Sequence, residues 1–275
     1  MEKIMRRVSW QTMRMKATLF CLFLIAACGT GGSGAPSSVN RVHHSAKEPV
    51  TRQFPENSWQ YFLQHLPVVD SPVRDYRGKQ VRDQYKNAGV VPYDVGTKDL
   101  QQCADALMRL RAEFLFDQKR YDEIGFHFVS GQYYSFNDYC AGKRPVASGN
   151  QVRFVQGEAA RKNHASLRRY LDLVYAYAST ISLAREMKPA DSLEVGTVVI
   201  YPGSPGHCFI VIDEGVDEKG ERVFRLAESY TPAQSIYVLR NPGAEEKTPW
   251  QPLPGSGTIH TASYVFENYK LRKFE

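Results

Sequence analysis

Between Leu193 and Leu239 the chain carries four short apolar runs separated by breakers, and this spacing limits the fold more than any other feature. Leu193 to Tyr201 reads as a turn feeding a buried strand, Pro202 to Gly206 as a tight loop, and His207 to Asp213 as the next strand. Gly215 to Gly220 turns the chain back into Val223 to Ala227, and Ile236 to Leu239 follows Glu228-Ser229-Tyr230. Short runs rich in Val and Ile, joined by brief turns, predict an antiparallel meander.

Two long helical patterns precede the meander, which makes the class α+β. Asp99 is placed to cap a helix running to about Phe116, with Gln102 three residues later completing a capping box. Cys103 then falls in the first turn, where unpaired amides and the helix dipole favour a thiolate. Cys103, Leu107, Leu110 and Phe114 repeat at helical spacing and share a face. An inert thiol on a core stripe is therefore the alternative to a reactive one. Ser166 to Met187 is expected to form one long helix stopped by Pro189. Ser58 is expected to cap Trp59 to Leu66, and short strands are expected at 73–76, 89–95, 126–129 and 152–155. Arg109 and Glu113, four apart, predict a surface ion pair, and His127 between two Phe residues reads as structural or exposed.

A cysteine nucleophile needs a base within reach, a group to orient that base, and donors for the oxyanion. Cys103 is the candidate nucleophile and His207 the candidate base. Alternation along the strand sets His207, Phe209 and Val211 on one face and Cys208 and Ile210 on the other, which assigns Cys208 to the core and away from the site. Glu228, ending the neighbouring strand, is the candidate orienting group, with Ser229 a weaker one. The side chain of Gln101 or Gln102, with the helix amides near Cys103, would form an oxyanion hole or bind substrate. No GxGxxG, Walker loop, CxxC pair or HExxH occurs, and His43-His44 lacks partner ligands, so neither a metal nor an organic cofactor is implied.

The segment LEVGTVVIYPGSPGHCFIVID resembles the strand-loop-Gly-His-strand segment of NlpC-type endopeptidases and CHAP amidases, papain-like enzymes that cut cell-wall peptides. The resemblance implies a papain-like core, a first-turn cysteine helix packed on a short antiparallel sheet, with Cys103, His207 and Glu228 as its catalytic residues. Gly196-Thr197 stands where those enzymes carry Gly-Asp, and Cys103 lacks their Asp-Cys-Ser context. Over almost the whole body, from about Phe54, DLQQCADALMRLRAEFL, GHCFIVID and RLAESYTPAQSIYVL are similar to a family of bacterial envelope lipoproteins. That family is catalogued as a domain of unknown function, number four-eight-four-six, and it supplies no activity.

Arg6, Arg7, Arg14 and Lys16 precede an apolar run from Ala17 to Ala27, the pattern of a secretory signal over residues 1–27. The run is shorter than the roughly 20 apolar residues of a spanning helix. Ile25-Ala26-Ala27-Cys28 resembles the bacterial lipobox, which implies a lipidated Cys28 and a membrane anchor; ordinary secretion with Cys28 unmodified is the alternative. Residues 28–51, with GTGGSGAPSS near their start, predict a flexible tether, and 52–275 a single globular domain. The leader holds five Lys/Arg and one Glu, so 30 basic and 28 acidic residues follow it, a net charge of +2 against +6 for the whole chain. The basic balance is thus partly the leader's and gives no argument for nucleic acid. Of five cysteines only 103, 140 and 208 lie in the body, so one bridge at most can form; a Cys103–Cys140 disulfide would be a structural alternative.

The expected function is that of a lipid-anchored protein of the bacterial cell envelope. It would be a Cys-His hydrolase or transferase acting on an amide bond, with peptidoglycan peptides among the candidate substrates. A non-catalytic lipoprotein whose cleft binds a peptide or an envelope protein is the alternative.

Overall fold

The four runs between 193 and 239 form consecutive antiparallel strands in the computed structural model, which describes residues 48–149 and 151–275. These strands are Val198–Tyr201, His207–Val216, Arg222–Glu228 and Ile236–Leu239. Asn87–Val91 extends the sheet beyond Ile236–Leu239, and Lys270–Lys273 extends it beyond Val198–Tyr201. The His207 strand is therefore central, and both of its faces are covered. Cys208, Ile210 and Ile212 pack in one cluster with Leu107, Leu110 and Phe114 of the Cys103 helix. Phe209 and Val211 pack in a second cluster with Phe224, Leu226, Ile259 and Phe266. A strand buried on both sides reads as an unbroken apolar run, as Cys208 to Ile212 does.

The Cys103 helix spans Cys103–Asp117, and its N-cap is Gln102, not Asp99. Asp105, at the third helical position, accepts the Gln102 N–H at 3.0 Å. Asp99 is occupied elsewhere, accepting the Ala233 N–H at 2.7 Å and so tying the helix entry to the loop after Tyr230. Every side chain from Ala104 to Leu115 is buried, because the helix lies between the sheet and a second helical layer. The Arg109–Glu113 pair is consequently interior rather than superficial: Arg109 is 1% and Glu113 4% exposed, with Nε to Oε1 at 2.5 Å. His164 Nε2 also approaches both Glu113 oxygens at 2.9 Å.

The single helix expected over 166–187 is two, His164–Tyr175 and Thr180–Glu186. Ser179 supplies the break, its hydroxyl accepting the Ile181 N–H at 3.1 Å as the cap of the second piece. The turn at 176–179 passes beside the Cys103 helix start, so the break shapes the cleft. Ser58 caps Trp59–Gln64 as expected. The strand expected at 73–76 is reduced to bridges at Arg74 and Asp75. Gly125–His127 and Gln151–Gln156 form two-stranded hairpins outside the main sheet. Cys103, Cys140 and Cys208 are all free, which removes the Cys103–Cys140 bridge. No helix among the described residues is long and apolar enough to cross a membrane. The leader, Cys28, His43-His44 and the tether up to residue 47 lie outside the described residues.

Candidate active site

Cys103 opens its helix, where the first amides have no acceptor within the helix. Its Sγ lies 3.9 Å from the Gly206 carbonyl oxygen, beside the first residue of the central strand, His207. Strand register brings Glu228 to that histidine. Ala227 is opposite Ile210, so Glu228 and His207 are diagonal neighbours on the same face of the sheet. His207 Nε2 lies 2.9 Å from Glu228 Oε2. With Nε2 engaged, Nδ1 is the ring nitrogen left for the thiol, and the Cys103 and His207 side chains are near enough for each to shift the other's titration.

Glu228 is fully buried and is held from three sides. Besides the imidazole it accepts from Ser263 Oγ at 2.9 Å and from the hydroxyl of Tyr237, its direct cross-strand partner. Three rings surround the imidazole: Tyr230 and Tyr264 at 4.9 Å and Phe266, near parallel, at 5.6 Å. His207 is only 3% exposed as a result, and hydrogen bonds in such low-dielectric surroundings are strengthened. Cys103 remains partly open to a cleft of about 490 Å³ between the helix start, the 175–180 turn, the 203–207 loop and Tyr230.

The Cys103 thiol is pulled down to about 5, first by a hydrogen bond from Cys208, against burial, and then by the hydrogen bond and charge of His207 and the Ala104 amide. Burial would lower His207, but its bonds to Cys103 and Glu228 and their charges raise it to about 9. Between those values the pair exists as thiolate and imidazolium, the reactive state of a cysteine nucleophile.

Cys208 corrects the expectation from alternation. It is buried in the core as anticipated, but its face is the one on which the Cys103 helix packs, so its thiol is near enough to lower that of Cys103. Burial keeps the Cys208 thiol itself protonated, well above the usual range. Gln101 is also placed differently: it is fully buried and turned away from the cleft, accepting from Arg109 Nη1 at 3.3 Å. Gln102 does line the cleft, with its amide donating to Asp99 Oδ1 at 3.3 Å. The donors near the sulfur are thus main-chain amides of the first turn, Ala104 among them. Ser229 donates to the Gln234 carbonyl and plays no part at the imidazole.

Sequence reasoning passed over Tyr237, Ser263, Tyr230, Tyr264 and Phe266. Tyr237 was within reach, since it alternates onto the Glu228 face of the last predicted strand. The tail residues carry no motif that points to His207. Among the described residues, no group of three or more His, Cys, Asp or Glu is arranged to hold a metal ion.

The sequence matches the family described as Domain of unknown function (4846) over residues 42–273, and the chain belongs to that family. No curated protein and no solved structure matches it.

Proposed function

We propose that this member of the family is a Cys-His hydrolase or transferase of the bacterial cell envelope, acting on an amide bond. The observation that carries the reading is that Cys103, at a helix start, and His207, bonded to the buried Glu228, line one open cleft. Cys103 Sγ attacks the amide carbonyl, and the oxyanion that forms meets the first-turn amides. The His207 imidazolium gives its proton to the departing amine, leaving a thioester on Cys103. Neutral His207 then draws a proton from water, or from an acceptor amine, as that group attacks the thioester. Glu228 holds the imidazole in one orientation and stabilises its charge. We read the core as papain-like, a cysteine-first helix laid on an antiparallel sheet that carries the histidine. Anchoring through a lipidated Cys28 would set the body beside the cell wall, whose peptides are the candidate substrates.

The test is the pH dependence of Cys103 alkylation, followed at that cysteine by peptide mass mapping of the full chain. Reactivity should rise through about pH 5. In His207→Ala that rise should shift upward toward the ordinary thiol range near ~8.5, stopping short of it because the Cys208 thiol still lowers the value. An ordinary or inert Cys103 in a folded protein refutes the enzyme reading and leaves a cleft that binds a peptide or protein without turnover.

A further inference from the structure

Cys103, Cys140 and Cys208 are all unbridged, yet two of them meet at one place in the fold. Cys103 Sγ lies 3.9 Å from the Gly206 carbonyl oxygen, and Cys208 follows Gly206 by two residues, as the second residue of the central strand. Alternation turns the Cys208 side chain to the helix side of the sheet, into the cluster against which Cys103 packs. The two thiols are therefore neighbours across the helix–strand contact, one at the first residue of the helix and the other near the start of the strand. Each shifts the titration of the other, which agrees with that placement.

Their exposure is opposite. Cys103 is partly open to the cleft of about 490 Å³, whereas Cys208 is 0% exposed. A small oxidant in the cleft thus meets the Cys103 sulfur, at a helix start that favours its thiolate, and does not meet Cys208. An accessible, thiolate-forming cysteine beside a second thiol is the arrangement in which oxidation stops at a disulfide, short of the irreversible sulfur acids. Amide cleavage by Cys103, His207 and Glu228 gives Cys208 no bond to make or break. Cys140 is placed elsewhere, at the end of the helix Phe136–Cys140, which packs on His164–Tyr175 and Lys143–Ser148.

We infer that Cys103 and Cys208 form a reversible disulfide when a hydroperoxide enters the cleft, which switches the nucleophile off. The Cys103 thiolate attacks the terminal peroxide oxygen. The O–O bond breaks, and the departing hydroxide or alkoxide takes a proton to leave as water or alcohol, so Cys103 becomes a sulfenic acid. The Cys208 sulfur then attacks the sulfenic sulfur, the S–O bond breaks, and the Cys208 proton leaves with the hydroxide as water. The thiol pair gives up two electrons and the peroxide takes both. These steps need no amide substrate, so the disulfide is tested apart from the hydrolase reading.

The full chain is treated with hydrogen peroxide, blocked with N-ethylmaleimide and digested without reductant. Mass mapping should find the Cys103 peptide joined to the Cys208 peptide, lighter than their sum by two hydrogen atoms. Labelling of Cys103 by bromoacetamide should be lost after peroxide and regained after dithiothreitol. In Cys208→Ala, at a pH where both proteins alkylate fully, peroxide should carry Cys103 on to sulfinic and sulfonic acids, and dithiothreitol should not restore labelling. The cross-link in the unaltered chain decides the inference even where that variant fails to fold. Cys103 found as sulfur acids without the cross-link, joined to another cysteine, or left as a free thiol overturns it. A Cys103–Cys208 cross-link in a protein whose Cys103 has an ordinary alkylation profile upholds the disulfide and refutes the hydrolase.

Discussion

Replacing Glu228 by Gln removes one charge from the site and almost none of its shape. The carboxamide oxygen can occupy the Oε2 position and keep the 2.9 Å contacts with His207 Nε2 and Ser263 Oγ. The amide NH2 then faces the Tyr237 hydroxyl, which can turn to accept. What is lost is stabilisation of the imidazolium. Exchanging a charge-assisted hydrogen bond for a neutral one weakens it by about 1–1.5 kcal/mol, equivalent to roughly one pKa unit. Losing the full attraction of two charges about 4 Å apart at an effective dielectric of 20 weakens it by about 4 kcal/mol, or roughly three units. His207 should therefore drop from about 9 into the range of about 6 to 8. The sign of the consequence follows from which group must hold the proton. The ion pair needs pH above the Cys103 value and below the His207 value, so the window near 5 to 9 should close from its alkaline side alone. The titration of the His207 ring carbons by NMR, in parallel with ultraviolet thiolate absorbance, measures both limits as properties of the pair. A His207 midpoint unmoved in a folded Glu228→Gln protein would show that Glu228 does not stabilise the imidazolium, and the mechanism would lose its third member.

Other consequences of the same geometry can be measured directly. Tyr237→Phe leaves one oxygen of the buried Glu228 carboxyl without its donor and should destabilise the fold by about 1–3 kcal/mol; an unchanged denaturant midpoint would contradict the bond. Arg109→Met strands Glu113 in the interior with His164 as its remaining partner and should cost about 3–5 kcal/mol. Arg120→Ala, at a half-exposed pair with Glu123, should cost less than about 1 kcal/mol; equal losses for the two would deny the burial of the Arg109 pair. Cys208→Ala removes a thiol that lowers the Cys103 value, so the alkylation midpoint should rise from about 5. Cys208→Ser, which retains a donor, should recover part of that shift, and identical profiles for the two variants would deny the bond.

The meander was legible because each of its strands carries its own apolar run and turn, and the Cys103 helix because its apolar spacing persists for about three turns. The helix cap was misplaced for a tertiary reason. Asp99 has the local chemistry of an N-cap, but it accepts from Ala233, and no local rule weighs a competing donor 134 residues away. The break at Ser179 was present as a Ser-Thr cap signal inside an apolar periodicity that continued through it. The surface assignment of Arg109–Glu113 failed because ion-pair spacing is the same on a buried helix as on an exposed one. What covers that helix comes from segments distant in sequence.

The site itself divides along the same line. Cys103, His207 and Glu228 sit at ends of regular elements, where sequence patterns are sharpest, and the structure brings these three side chains together. Their supports do not: Ser263, Tyr264 and Phe266 come from the tail, some 35 residues past Glu228, where Pro and Gly hide any period. Cys208 shows how far strand alternation can be trusted. Alternation does separate Cys208 from His207, since one faces the helix layer and the other the Phe266 layer. Cys103, however, lies over neither face alone. Its sulfur approaches the Gly206 carbonyl at the open end of the strand, where no preceding paired residue screens one face from the other. A group placed there can meet the first residue and the second at once. Opposite faces of a strand therefore exclude a shared site only in its interior, and a helix N-terminus docked on a strand's first residue draws on both.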